Sequence, residues 1–461
     1  MLDPKVKSCL DNRRRRHLEK LFELLRFAAI ANNDDDQCPE CAAWLAEYLR
    51  EIGLDASVIP VRGGKDVVYA QGPIDRDKPT LLIYGHYDVQ PPDPLDEWES
   101  DPFEPVVRDG NIRARGASDD KGQLFAHLMA IDAWMRATGQ TPVNIKILIE
   151  GEEEIGSPSL EPFVVDNADL LSANAAVISD SAFFAPGIPS ILTGLRGLAY
   201  VEISVKGPRA DVHSGINGGL LTNPINALAR IVAAMHDDTG RVTLPGFYDD
   251  VLTPSDQELA DWGKLPFDQG ACAEAMGVKC LGGGERGLPS LTRIWARPTL
   301  DANGIVGGYT GPGAKTIIPA EVTAKISMRL VPDQNPEKIA AGMQEFVAAH
   351  TPPGVKATVD LHSTGRPVLL NTSGPAIQAA RAAMSEAFGR ETTFIRCGAS
   401  IPVTELFQRL LGLDAAMMGF GLPDDAPHSP NEKLALAQLH GGAVASAAFM
   451  AELAGRAWEL K

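Results

Sequence analysis

A few short stretches carry residue types that can do chemistry with a cation. "YGHYDVQP" holds His86 and Asp88, and "ARGASDDKG" holds Asp119 and Asp120. "ILIEGEEEIGS" holds Glu150 and the consecutive Glu152, Glu153 and Glu154. "VISD" ends in Asp180, and "DDAPHSPNE" contains His428. Adjacent glutamates repel, so a strand that delivers them into a protein interior needs positive charge at its end. Imidazole and carboxylate ligands without cysteine suit Zn²⁺, with Mn²⁺ or Co²⁺ as substitutes. Two histidines and at least three carboxylates exceed one four-coordinate site. They fit two ions ~3.5–4 Å apart that share a carboxylate. One glutamate of the run can then be a ligand, while its neighbour stands beside the coordinated water as general base. Two dications also lower the pKa of a bridging water, giving hydroxide near neutral pH.

Each residue has a plainer explanation. Asp119 could cap the helix that follows it. Asp180 and the glutamates could sit in turns, and His428 in a solvated loop. These separate explanations leave unexplained why histidine and carboxylates recur at the same end of three apolar runs.

Those runs are "TLLIYGHYDV" (80–89), "VNIKILIEG" (143–151) and "AAVISD" (175–180), with "VVYA" (67–70) before them. They read as strands. Apolar spacing predicts helices over about 15–35, 38–52, 121–138 and 157–166. Alternating strands and helices predict an α/β layer with a central mixed, mostly parallel sheet flanked by helices. Ligands of such sheets lie beyond the carboxyl ends of the strands, which would gather the residues above in space. After about residue 190 the pattern changes. "GLAYVEISVKG" (197–207) and "AEVTAKISMRLVP" (320–332) alternate as half-exposed strands do. Helices are expected over about 222–236 and 335–350, on one face of those strands. Residues 240–315 are rich in Gly and Pro and hold few periodic segments. An α+β domain, 194–370, inserted between 1–193 and 371–461 accounts for this. The first domain would resume with a helix at about 372–388 and strands near 392–397 and 415–420. A last helix is expected over about 431–455.

The 461 residues suit about two to three domains. A net charge of −18, from 60 acidic and 42 basic residues, argues against a nucleic-acid partner. The basic run "RRRRH" (13–17) reads as a solvated helix face. "CPEC" (38–41) has zinc-knuckle spacing but no second pair at a suitable distance. No apolar run is long enough for a membrane span. The amino-terminal residues lack the pattern of a signal peptide. Six cysteines without a framework fit a reducing compartment, and a cytoplasmic location is expected.

The motifs "YGHYDVQP", "ARGASDDKGQ", "EGEEEIGS", "VISD", "DVHSGINGG", "GAKTIIP", "SMRLVP", "CGASIPVT" and "APHSPNE" occur in this order along nearly the whole chain. Together they resemble the co-catalytic zinc peptidases that include carnosine dipeptidases, carboxypeptidase G, aminoacylase and succinyl-diaminopimelate desuccinylase. The dipeptidase branch is the nearest in pattern. The resemblance implies that His86 and Asp180 bind one metal, Glu154 and His428 the other, and that Asp119 bridges both through a loop whose Asp119–Asp120 peptide is often cis. It implies that Asp88 orients His86 and that Glu153 is the general base. It makes the inserted domain a lid that also dimerises, with His213 reaching the partner subunit's site to stabilise the oxyanion. Arg329 and Ser400 would hold the substrate's carboxylate. Ala399 and Cys397 depart from the usual residues beside that pocket and bear on substrate preference. His213 could instead cap a turn beside Gly215, and Arg329 could be a plain surface residue.

The reaction expected is hydrolysis of the amide bond of a short peptide with a free C-terminal carboxylate, through a metal-bridging hydroxide, in a homodimer. The alternative is an N-acyl or N-carbamoyl amino-acid amidohydrolase on the same scaffold. A catalytically silent, metal-dependent binding protein is the rival from another class.

Overall fold

The computed structural model describes residues 1–33, 37–398 and 401–458. The chain divides into two compact units. One comprises Met1–Thr193, Leu370–Ile395 and Pro402–Lys461, and the other Gly194–Leu369 and Arg396–Ile401.

The first unit is built on a mixed sheet. Its strand order is Asp55–Ile59, Val67–Gln71, Asn144–Glu150, Thr80–His86, Ala175–Ile178, Asp414–Met417, Ser190–Leu195. Thr80–His86 runs parallel to both its neighbours, and Ala175–Ile178 runs parallel to Asp414–Met417. The outer pairs are antiparallel. The central strands are apolar on both faces and buried, as strands covered on both sides must be. Register does the work of gathering the site. His86 lies opposite Glu150, and Tyr84 opposite Ile178, so Asp180 follows at the level of His86.

Helix Lys121–Thr138 is buried along most of its length. Its Trp134 Nε1 donates to the Ala447 carbonyl at 3.1 Å, in helix Leu436–Ala454. Its buried Asp132 accepts from Arg13 at 2.9 Å and Arg136 at 2.7 Å, and contacts the His17 ring at 2.9 Å, tying it to the first helix. That first helix spans Pro4–Leu25, earlier than the expected 15–35. Asp3 caps it through the Lys5 amide, and Pro4 suits the first helical position. Val6 and Leu10 start the buried stripe that His17, Leu21, Leu24 and Leu25 continue. The arginine run interrupts the apolar signal without ending the helix, since Arg14, Arg15 and Arg16 face solvent. The last helix begins at Leu436 rather than near 431, because Lys433–Ala435 is a strand paired with Asn111–Arg113.

In the second unit a four-stranded antiparallel sheet has the order Thr299–Gly307, Glu321–Leu330, Gly197–Lys206, Lys356–Gly365. Val201, Ile203, Val205, Ala324, Ile326 and Met328 form its buried face. Helices Pro224–Ala234 and Pro336–His350 cover that face with Leu228, Ile231, Met343 and Phe346. The Gly/Pro-rich stretch also holds three short helices, Asp256–Trp262, Gln269–Ala275 and Ser290–Ala296, which its weak periodicity hid.

Candidate metal centre

His86 ends its strand and is fully buried. Its Nδ1 lies 3.1 Å from the Asp88 carbonyl, an atom that can only accept, so the ring proton sits on Nδ1. In the neutral ring Nε2 then presents a lone pair. It lies 3.2 Å from Asp119 Oδ1 but makes no hydrogen bond, a buried nitrogen aimed at a point it shares with carboxylates. Such an orphaned atom fits a metal ligand held by its other ring nitrogen.

Asp119 presents its two oxygens to different histidines, Oδ1 to His86 and Oδ2 to His428 Nε2 at 2.8 Å. The peptide joining it to Asp120 is cis. Asp120 turns inward, and its Oδ2 accepts from the His86 amide at 3.3 Å. Glu154 Oε2 lies 3.2 Å from His428 Nε2 and accepts from Gln90 Nε2 at 2.9 Å. The ligand atoms of His86, Asp119 and Asp180 all lie within 4.8 Å of one another. So do those of Asp119, Glu154 and His428. The two sets share Asp119.

The electrostatics describe a cluster short of positive charge. Burial, then the Asp119 charge, pushes the Asp180 carboxyl well above its usual range. Burial also raises Glu153. Asp119 and then Glu154 push the His428 imidazole up to about 10, holding a proton where a cation would otherwise serve. Carboxylates this close coexist in ionised form when a dication lies between them.

The glutamate run separates into distinct roles. Glu152 turns away and its Oε1 accepts from the Lys65 amide at 3.1 Å. Glu153 and Glu154 enter a single turn whose amides donate to the two oxygens of Asp88, at 3.2 and 3.0 Å. Asp88 therefore holds His86 through its carbonyl and the glutamate turn through its carboxylate. Sequence reasoning assigned it only the first task. Glu150, at the strand end, accepts from the Tyr84 and Ser157 hydroxyls and closes the turn from behind. Burial raises its carboxyl to about 8.

His213 and Arg329 belong to the second unit. His213 is exposed, and its Nδ1 accepts from the Gly215 amide at 2.9 Å, capping the short helix Ser214–Asn217. That bond places the proton of the neutral ring on Nε2, the outward nitrogen. Arg329 is half-buried on strand Glu321–Leu330, opposite Leu198 and Thr299. Ser400 and Ala399 lie outside the described residues. Cys397 ends strand Thr393–Cys397.

A mixed sheet whose strand ends and adjoining loops bring two candidate sets of imidazole and carboxylate ligands around one shared aspartate fits a metal-dependent hydrolase. The chain belongs to peptidase family M20/M25/M40, whose family model matches residues 82–452. It is 34% identical over 394 residues to the Beta-Ala-His dipeptidase of Homo sapiens, covering 84% of this chain and 77% of that protein. It is 32% identical over 385 residues to a Cys-Gly metallodipeptidase of Saccharomyces cerevisiae, covering 82% of this chain and 79% of that one. The solved structure of an M20 family metallo-carboxypeptidase from Sulfolobus solfataricus superposes with a TM-score of 0.83 at 32% identity, covering 95% of this chain and 99% of that one.

Proposed function

We propose that the protein is a dinuclear metal-dependent dipeptidase acting on short peptides with a free C-terminal carboxylate. The observation that carries this reading is Asp119 shared between two ligand sets, with the Glu153 carboxyl in the adjoining turn. Dipeptidases among the relatives that the chain matches support the substrate class over N-acyl and N-carbamoyl amino acids.

In this reading His86, Asp119 and Asp180 hold one ion, and Asp119, Glu154 and His428 hold the second. Divalent ions held by these residues, zinc by the chemistry of the donors, would supply polarisation of the scissile carbonyl and an acidified water. Glu153 takes that water's proton as its oxygen attacks the carbonyl carbon. It then delivers the proton to the departing amine as the C–N bond breaks. Burial raises its carboxyl above the usual range, which favours taking up a proton. Asp88 keeps Glu153 in place through the turn amides. His213, with its proton on Nε2, is suited to donate to the carbonyl oxygen as negative charge develops there. Arg329, with Ser400, binds the substrate's carboxylate.

The inserted unit is proposed as a lid and dimerisation domain, so that His213 serves the site of the partner subunit. Exposed Ile216, Leu220, Ile305 and Val306 on this unit support a docking role. A cytoplasmic setting is proposed because no disulfide forms among the described residues. No helix among those residues is long and apolar enough to cross a membrane.

The test is metal content per chain together with hydrolysis of dipeptides, tripeptides, N-acetyl and N-carbamoyl amino acids, before and after chelation. Two ions per chain and a chelator-reversible preference for dipeptides are expected. Turnover confined to the acylated amino acids would move the assignment to that class.

A further inference from the structure

The loop bearing Asp119 and the loop bearing His428 close on one buried carboxylate that the metal chemistry does not use. Strand Lys433–Ala435 pairs with Asn111–Arg113, Lys433 opposite Arg113. The pairing runs on by one step, and the Ala114 amide donates to the Glu432 carbonyl at 3.2 Å. The Glu432 side chain thereby enters the turn over 114–120, where it is 0% exposed. Its Oε2 accepts from Arg115 Nη1 at 2.8 Å and from the Gly116 amide at 3.0 Å. Its Oε1 accepts from the Ser118 amide at 2.8 Å and from the Asp119 amide at 3.0 Å. Four donors thus converge on one carboxylate, three of them main-chain amides of the turn. The turn has little freedom to find other partners. Gly116 sits at φ +81°, and a Cβ on Gly122 would stand 1.9 Å from the Ala117 carbonyl oxygen. A second stitch joins the same loops, since the Ser118 hydroxyl donates to Asp425 Oδ2 at 3.2 Å.

We infer that Glu432 is a positioning residue for the metal centre. It fixes the main chain of Asp119 and, four positions after His428, the end of the loop that carries the opposing imidazole. His428, Ala426 and Asn431 all adopt left-handed backbone, at φ 59°, 54° and 64°. Asn visits that conformation readily, but for His and Ala the β-carbon disfavours it, so their surroundings must hold it. Asp119 must face His86 with one oxygen and His428 with the other, so a displacement of its turn by ~1 Å spoils both ligand sets together. A carboxylate is required here because an amide side chain would turn an NH₂ group toward two of the four donors. The inference rests on the dinuclear reading above.

The experiment compares wild type with Glu432→Gln and Glu432→Asp. Each is read by melting of the metal-free protein, by Zn²⁺ titration and by the visible spectrum after loading with Co²⁺. Wild-type protein that binds no Zn²⁺ defeats the dinuclear reading itself. Given binding by wild type, Glu432→Gln is expected to remain folded without metal. Its Zn²⁺ affinity is expected to fall ~10–100-fold, the range for loss of a contact that supports a ligand. The Co²⁺ spectrum should change in intensity, which a stability effect remote from the ligands would not produce. A folded Glu432→Gln that binds Zn²⁺ with wild-type affinity and an unaltered Co²⁺ spectrum overturns the inference. Should that variant not fold, Glu432→Asp decides: it keeps the charge but is one methylene short of the amides. Weakened binding supports the assignment, and wild-type binding overturns it.

Discussion

The two candidate ligand sets meet at Asp119 but differ in how they are held. His86 and Asp180 lie at the ends of neighbouring strands, where parallel register fixes their separation, and His86 is fully buried. Glu154 and His428 lie on a turn and a loop, and the His428 side chain is 54% exposed. The inner set is part of the sheet. The outer set is held by a hydrogen bond from the Glu154 amide to Asp88, by one from Gln90 to the Glu154 carboxylate, and by the left-handed loop. A centre built this way has one wall set by the core and one that can exchange with solvent.

The largest expected effect concerns the residue next to the outer wall. Glu153→Ala should retain metal yet lose ~10²–10⁴-fold in kcat, about 3–5 kcal/mol of barrier. Wild-type turnover by that variant would remove Glu153 from the mechanism. The walls themselves are separated by His428→Ala and His86→Ala. Replacing His428 should release one ion per chain and leave the other, with a loss of affinity at least the ~10–100-fold typical of losing a supporting contact. Replacing His86 should lower the metal-free melting temperature as well, since it empties a fully buried position. Equal melting temperatures for the two metal-free variants would erase the contrast between the walls.

A smaller effect lies behind the inner wall. His127 is buried between the Ser446 and Ser179 hydroxyls, each 2.7 Å from a ring nitrogen, and Ser179 precedes Asp180. Burial pushes its imidazole down to about 3. The folded protein therefore keeps it neutral, while the unfolded chain takes up a proton below pH ~6.5. The stability is present above that pH and is lost as pH falls toward the folded value, at about 1.4 kcal/mol per unit. Denaturant titrations of metal-free wild type and His127→Asn between pH 7 and 5 should show a shallower decline for the variant. Parallel declines would contradict this. The smallest effect is expected far from either wall. Arg15→Ala breaks the exposed contact with Glu19 at 2.9 Å and should change stability by no more than ~0.5 kcal/mol, by the same measurement.

Much of the inner wall was legible in the sequence. The strands ending at His86 and Glu150, and the one leading to Asp180, are short apolar runs, and burial on both faces leaves that signature. The helix at Lys121–Thr138 and the two helices covering the second sheet were legible for a similar reason. From the residues themselves the outer wall was legible only as residue types, and its assignment to Glu154 and His428 rested on the family resemblance. Which of Glu152, Glu153 and Glu154 turns toward the cluster depends on Asp88 and the Lys65 amide, and no periodicity encodes those contacts. The start of the first helix was missed because charges on its solvent face hid the stripe beneath them.

The sequence by itself determined the donor chemistry. Histidines and carboxylates without cysteine, placed at the ends of apolar strands, admit a hard or borderline divalent ion and little else. It also determined the alternation that builds each sheet, because side-chain burial repeats along the chain with the period of the local backbone. Only the tertiary structure decided how those donors are oriented. The four bonds to Glu432, one of them from an amide 313 positions away, form only after the sheet has brought remote loops together. Hydrogen bonds act over about 3 Å in space with no regard for distance along the chain.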